Sequence, residues 1–231
     1  MIDWEALHRA VHAAEQAGGF VFEPLAESEI GSVAASVRAW YPDIGVGTAR
    51  GFVREAFYRT QAAFAARGTG RIIVITIKHR GKIVGMVACE PDFGARVMYG
   101  RIVIVAPAFR GEGLGQRGIA LIEAIAREFA MGLVYGLATM KIPHVQRAFE
   151  QLGWRLIGIA PGYDLEMVGS GVKRVYEAVY AKVLATKDEI ERPLLDNMTS
   201  GTRQLFTQLF ADELHAVPSR GRAEAAFAVC P

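Results

Sequence analysis

Ile104-Val-Ala-Pro107-Ala-Phe-Arg110-Gly-Glu-Gly113-Leu-Gly115-Gln116 is a β-branched run that stops at a proline and releases a glycine-rich turn into a helix. Such a stretch is built to hold a phosphate. Gly111, Gly113 and Gly115 place no Cβ in the way, so successive backbone N–H groups can converge on an anion at the positive end of the helix that follows. Arg110 adds a fixed charge beside them.

Outward from this turn, the pattern on either side is regular. Upstream, Arg71–Lys78, Ile83–Glu90 and Arg96–Ala106 read as three β-branched strands, the first two joined by the hairpin signal His79-Arg-Gly-Lys82 and the last two by Pro91-Asp-Phe-Gly94. Connections this short predict an antiparallel meander. Downstream, Ile119, Ile122, Ile125 and Phe129 form the apolar stripe of a helix closed at Met131-Gly132. Leu133–Met140 reads as a strand, Pro143–Leu152 as a helix stopped by Gly153, and Trp154–Ile159 as a strand. Val172–Leu184 is a further strand, its apolar residues alternating around Glu177 and Lys182.

The N-terminal part reads as helical with one short strand. Trp4, Leu7, Val11 and Ala14 recur at helical spacing up to Gly18-Gly19, Phe20–Pro24 is strand-like, and helical patterns run from Ser28 to Trp40 and from Thr48 to Ala66. From Lys187 a helical pattern resumes through Leu194, Leu195, Met198, Leu205, Phe206, Leu209 and Phe210. That stripe could cover the sheet or a second copy of the chain, so a homodimer is kept as an expectation. The final dozen residues read as a loosely held tail.

Composition narrows the function classes. A chain of 231 residues, 52% of them hydrophobic, can bury a substantial core, and a formal charge of +2 gives no signal for nucleic acid. Cys89 and Cys230 are far apart and lack companion ligands, which predicts neither a disulfide framework nor a metal site and places the chain in a reducing, cytoplasmic setting. Asp3, Glu5 and His8 stand where a signal peptide would be basic and then apolar, and no run suits a membrane span.

Three phosphate-binding readings compete for the loop. A Walker loop needs Gly-Lys-Ser/Thr after a second glycine, and no such string is present. Gly113-Leu-Gly115-Gln-Arg-Gly118 does satisfy the dinucleotide spacing. That fold also wants an acid about 20 positions on, however, and no Asp or Glu lies between Phe129 and Phe149. A plain tight connection would need fewer glycines and no arginine.

Arg110, Gly113 and Gly115, with Pro107 before them and Phe149-Glu-Gln-Leu-Gly153-Trp154 after them, resemble the GNAT superfamily of N-acetyltransferases, whose acyl-CoA loop reads Arg/Gln-x-x-Gly-x-Gly/Ala after a strand. The resemblance covers residues 20–185. It implies an α/β (α+β) GNAT fold, a mixed and mostly antiparallel central sheet with one splayed parallel strand pair, flanked by helices. Residues 1–19 and 186–231 would then be helical extensions.

The resemblance further implies acetyl-CoA as donor and an amine as acceptor, joined by direct attack in a ternary complex. Backbone groups of Arg110, Gly111, Glu112, Gly113, Leu114, Gly115 and Gln116 would wrap the pyrophosphate, while those of Ile104, Val105 and Ala106 would bond the pantetheine arm between Ile102–Ala106 and Leu133–Met140. The catalytic groups do not carry over. The family's thiolate-protonating tyrosine falls on Phe149, its frequent carboxylate base on Leu137, and its asparagine on Ile142.

Other residues must therefore be weighed for proton transfer. Glu90 ends a strand and could act through water or be a solvated turn acid, and His144 starts a helix and titrates in the useful range or merely begins that helix. Tyr135 and Tyr99 could take part in the chemistry or serve as packing residues, and Tyr163, in Pro161-Gly-Tyr-Asp164 between the late strands, could line the acceptor site or be an ordinary turn residue. Cys89 lacks a histidine partner and reads as buried. Trp40, Tyr41, Phe52, Arg54, Phe57 and Tyr58 are candidates to line the acceptor pocket or to fill the core. Two alternatives remain at this level: an acyl-CoA-binding module without catalysis, and a nucleic-acid-directed acyltransferase.

Overall fold

A short turn between two apolar runs fixes the centre of the sheet. Arg80 and Gly81 both take positive φ, 49° and 73°, which matches the twist of the strands they join, β2 (Ile73–His79) and β3 (Lys82–Asp92). The computed structural model describes residues 2–14, 18–66 and 70–214. It divides into two compact units, Met1–Ile190 and Glu191–Pro231.

The first unit is built on a seven-stranded sheet in the order β1-β2-β3-β4-β5-β7-β6, with β1 at Phe20–Pro24, β4 at Val97–Val105 and β5 at Leu133–Thr139. β6 (Arg155–Val168) and β7 (Gly171–Val183) form a long hairpin at the far edge. Every pairing is antiparallel except β4 with β5. That exception follows from the crossover helix α4 (Leu114–Glu128), which returns the chain to start β5 in the same direction.

Helices cover both faces of the sheet. α1 (Trp4–Ala14), α4 and α5 (His144–Gln151) bury Leu7, Val11, Ile122, Ile125 and Phe149 against one face. α2 (Ile30–Trp40) and α3 (Glu55–Gln61) bury Ile30, Val33, Val37 and Tyr58 against Val74, Met86, Ala88 and Ile104 on the other. Coverage on both sides explains why Ile73–Ile77 is continuously buried and reads as an unbroken apolar run. Phe52 and Tyr58 belong to this core, where the Tyr58 hydroxyl donates to the Phe52 carbonyl.

Several elements differ from the sequence expectation. The helix expected over 48–66 is a 3-10 turn at Arg50–Val53 followed by α3, because the Phe57 ring packs where Gly51 would carry its Cβ, at 2.4 Å. The strand expected to end at Ile159 continues to Val168: Pro161 and Gly162 lie in an irregular stretch between Ala160 and Asp164 and do not close it. Tyr163 is therefore within β6 and not in a turn between strands.

In the second unit the helical pattern from Lys187 is broken by Pro193, leaving a 3-10 turn at Leu195–Asn197 before α6 (Ser200–Leu209) and α7 (Ala211–Leu214). Thr199 caps α6 by accepting the Thr202 N–H, and the Phe206 and Phe210 rings meet at 5.1 Å. Cys230 and the final dozen residues lie outside the described residues.

α4 approaches the sheet through Gly118, where a Cβ would stand 2.7 Å from Val103 Cγ1 and 3.0 Å from Val87 Cγ2. Gly118→Ala should therefore destabilise the protein by about 1–3 kcal/mol despite alanine's better helix propensity. Urea denaturation with an unchanged slope and a lower midpoint is the expected result.

Candidate active site

The parallel ladder between β4 and β5 runs only from Val97 with Leu133 to Gly100 with Gly136. Beyond it the strands separate. One local cause is a register slip against β3: Ala88 faces Ile102 while Cys89 faces Gly100, so Arg101 is an extra residue that bends β4. A second is the last rung itself, since a Cβ at Gly136 would lie 2.8 Å from the Phe149 ring. Phe149 fills that space, stacks on Tyr180 at 5.1 Å and meets Trp154 at 4.7 Å in a tilted contact.

The separation leaves main-chain groups of β4 facing a wedge. Ala106 donates its N–H to the Val84 carbonyl, and antiparallel alternation gives Ile104 the same phase, so both spend their polar groups on the β3 side. Val105 has the opposite phase, as does Val103, which the sequence pattern did not single out. Of Ile104, Val105 and Ala106, only Val105 has the phase that turns its peptide groups toward the wedge. Its carbonyl accepts the Tyr41 hydroxyl at 3.3 Å and Arg110 Nε at 3.4 Å.

At the mouth of the wedge the chain makes a 3-10 turn over Pro107–Phe109 and enters α4 through the glycines. Gly111 and Gly113 take φ of 93° and 73°, conformations that side chains disfavour, and Gly113 is the N-cap of α4 without any side-chain cap. Among the described residues no hydrogen bond reaches the N–H groups of Gly111 to Gln116. The space above Gly111, Gly113 and Gly115 is open, while Leu114 turns into the core and anchors the helix start. Arg110 reaches back to α2, donating to the Trp40 carbonyl at 3.3 Å and lying 4.8 Å over the Tyr41 ring.

Near the closed end of the wedge, Arg71, Glu90, Asp92, Tyr99 and Tyr135 help line a cavity of about 550 Å³. Glu90 and Tyr135, both singled out in the sequence, are thus brought together. Glu90 is held between Arg71 Nε and Arg101 Nη1, each at 3.0 Å, so both of its oxygens are engaged. That arrangement suits structure better than proton abstraction. Tyr135 stacks on Tyr99 at 4.8 Å with an interplanar angle of 9°. Burial pushes both hydroxyls above the ordinary tyrosine range, so both keep their protons and remain donors.

His144 lies apart from this cavity, exposed in the first turn of α5. Cys89 is buried, its thiol pushed up to about 12 by that burial, which keeps it protonated. Among the described residues no group of His, Cys, Asp and Glu could hold a metal, and no helix is long and apolar enough to cross a membrane.

Sequence reasoning passed over Glu177. Among the described residues it shares only with Thr76 the condition of a buried polar side chain, and whereas Thr76 donates to the Glu23 carbonyl, no hydrogen bond reaches the Glu177 carboxyl. Burial first, then the neighbouring Glu166 and Asp164, raise it to about 7. Asp164 accepts the N–H and hydroxyl of Thr48 at 2.8 Å each, and Glu166 pairs with Lys141 at 2.6 Å. Gly47 permits the Thr48 contact, since a Cβ there would stand 2.3 Å from Asp164 Oδ1. The available signal was an acid in phase with Val175, Val179 and Ala181 on an alternating strand.

Comparison with known proteins follows the same lines. The model of the acetyltransferase (GNAT) family matches residues 34–154, just over half of the chain. No curated protein sequence matches significantly. Among solved structures, a GNAT family acetyltransferase from Elizabethkingia anophelis with acetyl-CoA bound is similar with a TM-score of 0.53 and 11% identity, over 73% of this chain and 100% of that one. A ribosomal-protein-alanine N-acetyltransferase from Brucella melitensis gives 0.56 and 14%, over 71% and 99%. The IAA acetyltransferase from Bacillus cereus gives 0.53 and 14%, over 71% and 99%.

The state of Glu177 makes stability depend on pH. Its folded value of about 7 exceeds the 4.5 of a free carboxyl, so the folded chain holds a proton that the unfolded chain has lost between those values. Stability should fall as pH rises through that window and stay reduced above it. Glu177→Gln should accordingly be more stable than the parent at pH 8 by about 1–3 kcal/mol, the difference vanishing toward pH 4. Thermal unfolding of both proteins across that range checks it.

Proposed function

This chain belongs to the GNAT family of acetyltransferases, and from that premise we propose that it moves the acetyl group of acetyl-CoA to an amine by direct attack within a ternary complex. The observation that carries the reading is the continuity of the β4–β5 wedge with the glycine cradle at its mouth.

The donor fits the residues present. Free N–H groups from Gly111 to Gln116, backed by the positive end of α4, suit a pyrophosphate, and the open space over Gly113 and Gly115 is what a side chain would fill. The wedge-facing peptide groups of Val103 and Val105 would then pair with the pantetheine amides as an added strand. Holding amine and thioester together in that wedge supplies a large part of the rate. Acetyl-CoA in the Elizabethkingia structure supports the same donor, and the amine-directed Brucella neighbour supports the class of acceptor. We assign the transferase domain to residues 20–185, with α1 bracing α4 through Arg9 and Glu128.

The cradle is tested at Gly115, which has ordinary helical geometry and nothing within 4 Å of where a Cβ would stand, so substitution there leaves the fold intact. Gly115→Val should abolish acetyl-CoA binding in a calorimetric titration. Arg110→Ala should weaken it only about tenfold, because the main-chain donors remain. Parental affinity in Gly115→Val would overturn the assignment.

A further inference from the structure

Glu177 lies on β7, which β5 separates from the wedge. On β7, Ala178 and Tyr180 face the α4 and α5 side, so Glu177 faces the opposite side, toward which α2 and α3 pack. It pairs across the sheet with Thr139 of β5. Thr139 lies three residues beyond the last rung at Gly136, on the part of β5 that has separated from β4. Leu137, one turn of the pleat away on the same face, carries no polar group.

Resting on the acetyl-transfer reading, we propose that Glu177 receives the ammonium group of a cationic primary amine and takes its proton before attack. Its neighbours are already committed. Asp164 is held by Thr48 and by the Leu165 N–H, and Glu166 by Lys141. Glu177 carries a carboxyl that no described side chain bonds, at the end of a side chain only 6% exposed, and two acids beside it deepen the negative potential. A buried charge without a partner is costly, and an arriving ammonium removes that cost. Neutral alcohols and arylamines bring no such charge, which selects the acceptor class.

The proton balance closes. The ammonium gives one proton to the Glu177 carboxylate, and the freed lone pair forms the N–C bond to the thioester carbonyl as the C–S bond breaks. Sulfur leaves with the bonding pair as the thiolate of coenzyme A and takes the second proton from nitrogen. Glu177 returns its proton to water, for a net release of one proton per turnover. With the carboxyl raised to about 7 by burial and by Glu166 and Asp164, the ionised form gives way to the protonated one as pH falls through neutrality.

The test compares the full chain with Glu177→Gln and Glu177→Asp, using spermidine, kanamycin and an alanine-led tetrapeptide as cationic probes and benzyl alcohol and aniline as neutral ones. Titration calorimetry without donor should show at least one cationic probe binding the parent and binding Glu177→Gln at least tenfold more weakly. Coenzyme A release should follow the same probe, with kcat falling 100-fold or more in Glu177→Gln and the acidic limb near pH 7 disappearing. Glu177→Asp should keep that limb. Acetyl-CoA affinity should be equal in all three proteins. Equal amine binding and an unchanged limb in Glu177→Gln would overturn this proposal alone, as would turnover confined to the neutral probes. Loss of acetyl-CoA binding in the parent, or no turnover with any probe, would overturn the acetyl-transfer reading and this proposal with it.

Discussion

The geometry of the molecule turns on four rungs of parallel pairing between β4 and β5 and on their abrupt end at Gly100 and Gly136. A sheet normally continues its ladder because an unpaired peptide group buried from water costs free energy. Here the extra residue Arg101 tilts β4 away, and on the β5 side the Phe149 ring occupies the space over Gly136. The result is a gap lined by main-chain donors and acceptors inside an otherwise closed sheet. An extended ligand with amides is the natural complement to such a gap, and the glycine cradle at its mouth adds an anion site collinear with it.

The same constraint organises the helices. α4 must begin at the mouth of the wedge to aim its N-terminus there, and it must pass close under β3 and β4, which Gly118 allows. α1 packs beside α4 on the same face of the sheet, and α2 ends where Tyr41 and Arg110 meet over the Val105 carbonyl. That meeting ties the helices of one face to the wedge rim. Arg110 is the instructive case: read in sequence as a charge beside the glycines, it is in the structure also a brace between α2 and β4.

Legibility in the sequence followed the range of the interactions. The hairpin at Arg80-Gly81, the β4 to α4 turn and the order of strands were readable because each is set by residues adjacent in the chain. The bulge at Arg101 was not, since it is a property of the register between two strands and leaves no local mark. The helix expected over 48–66 failed for a related reason. Phe57 folding back over Gly51, and Asp164 capturing Thr48 from 116 positions away, are tertiary contacts that override helical periodicity. Glu90 was chosen for its place at a strand end, and only the structure shows it locked between Arg71 and Arg101.

Glu177 shows how a site can keep its chemistry while its residues move. For the proposed transfer a proton acceptor has to reach the attacking nitrogen, and the sheet face beside the wedge can supply it from β5 or from its neighbour β7. β5 offers Leu137 there, an inert side chain, but β5 is hydrogen-bonded along its length to β7, so the residue of β7 paired with Thr139 projects from the same surface two residues farther along. Alternation places Glu177 on that face, and the tie between Thr48 and Asp164 brings the segment after α2 onto β6 beside it. The carboxyl is thereby left without a bonded partner, a condition that a proton relieves at low pH and an incoming cation at higher pH. Register, which hides from sequence inspection, is what makes a position on one strand equivalent to a position on its neighbour.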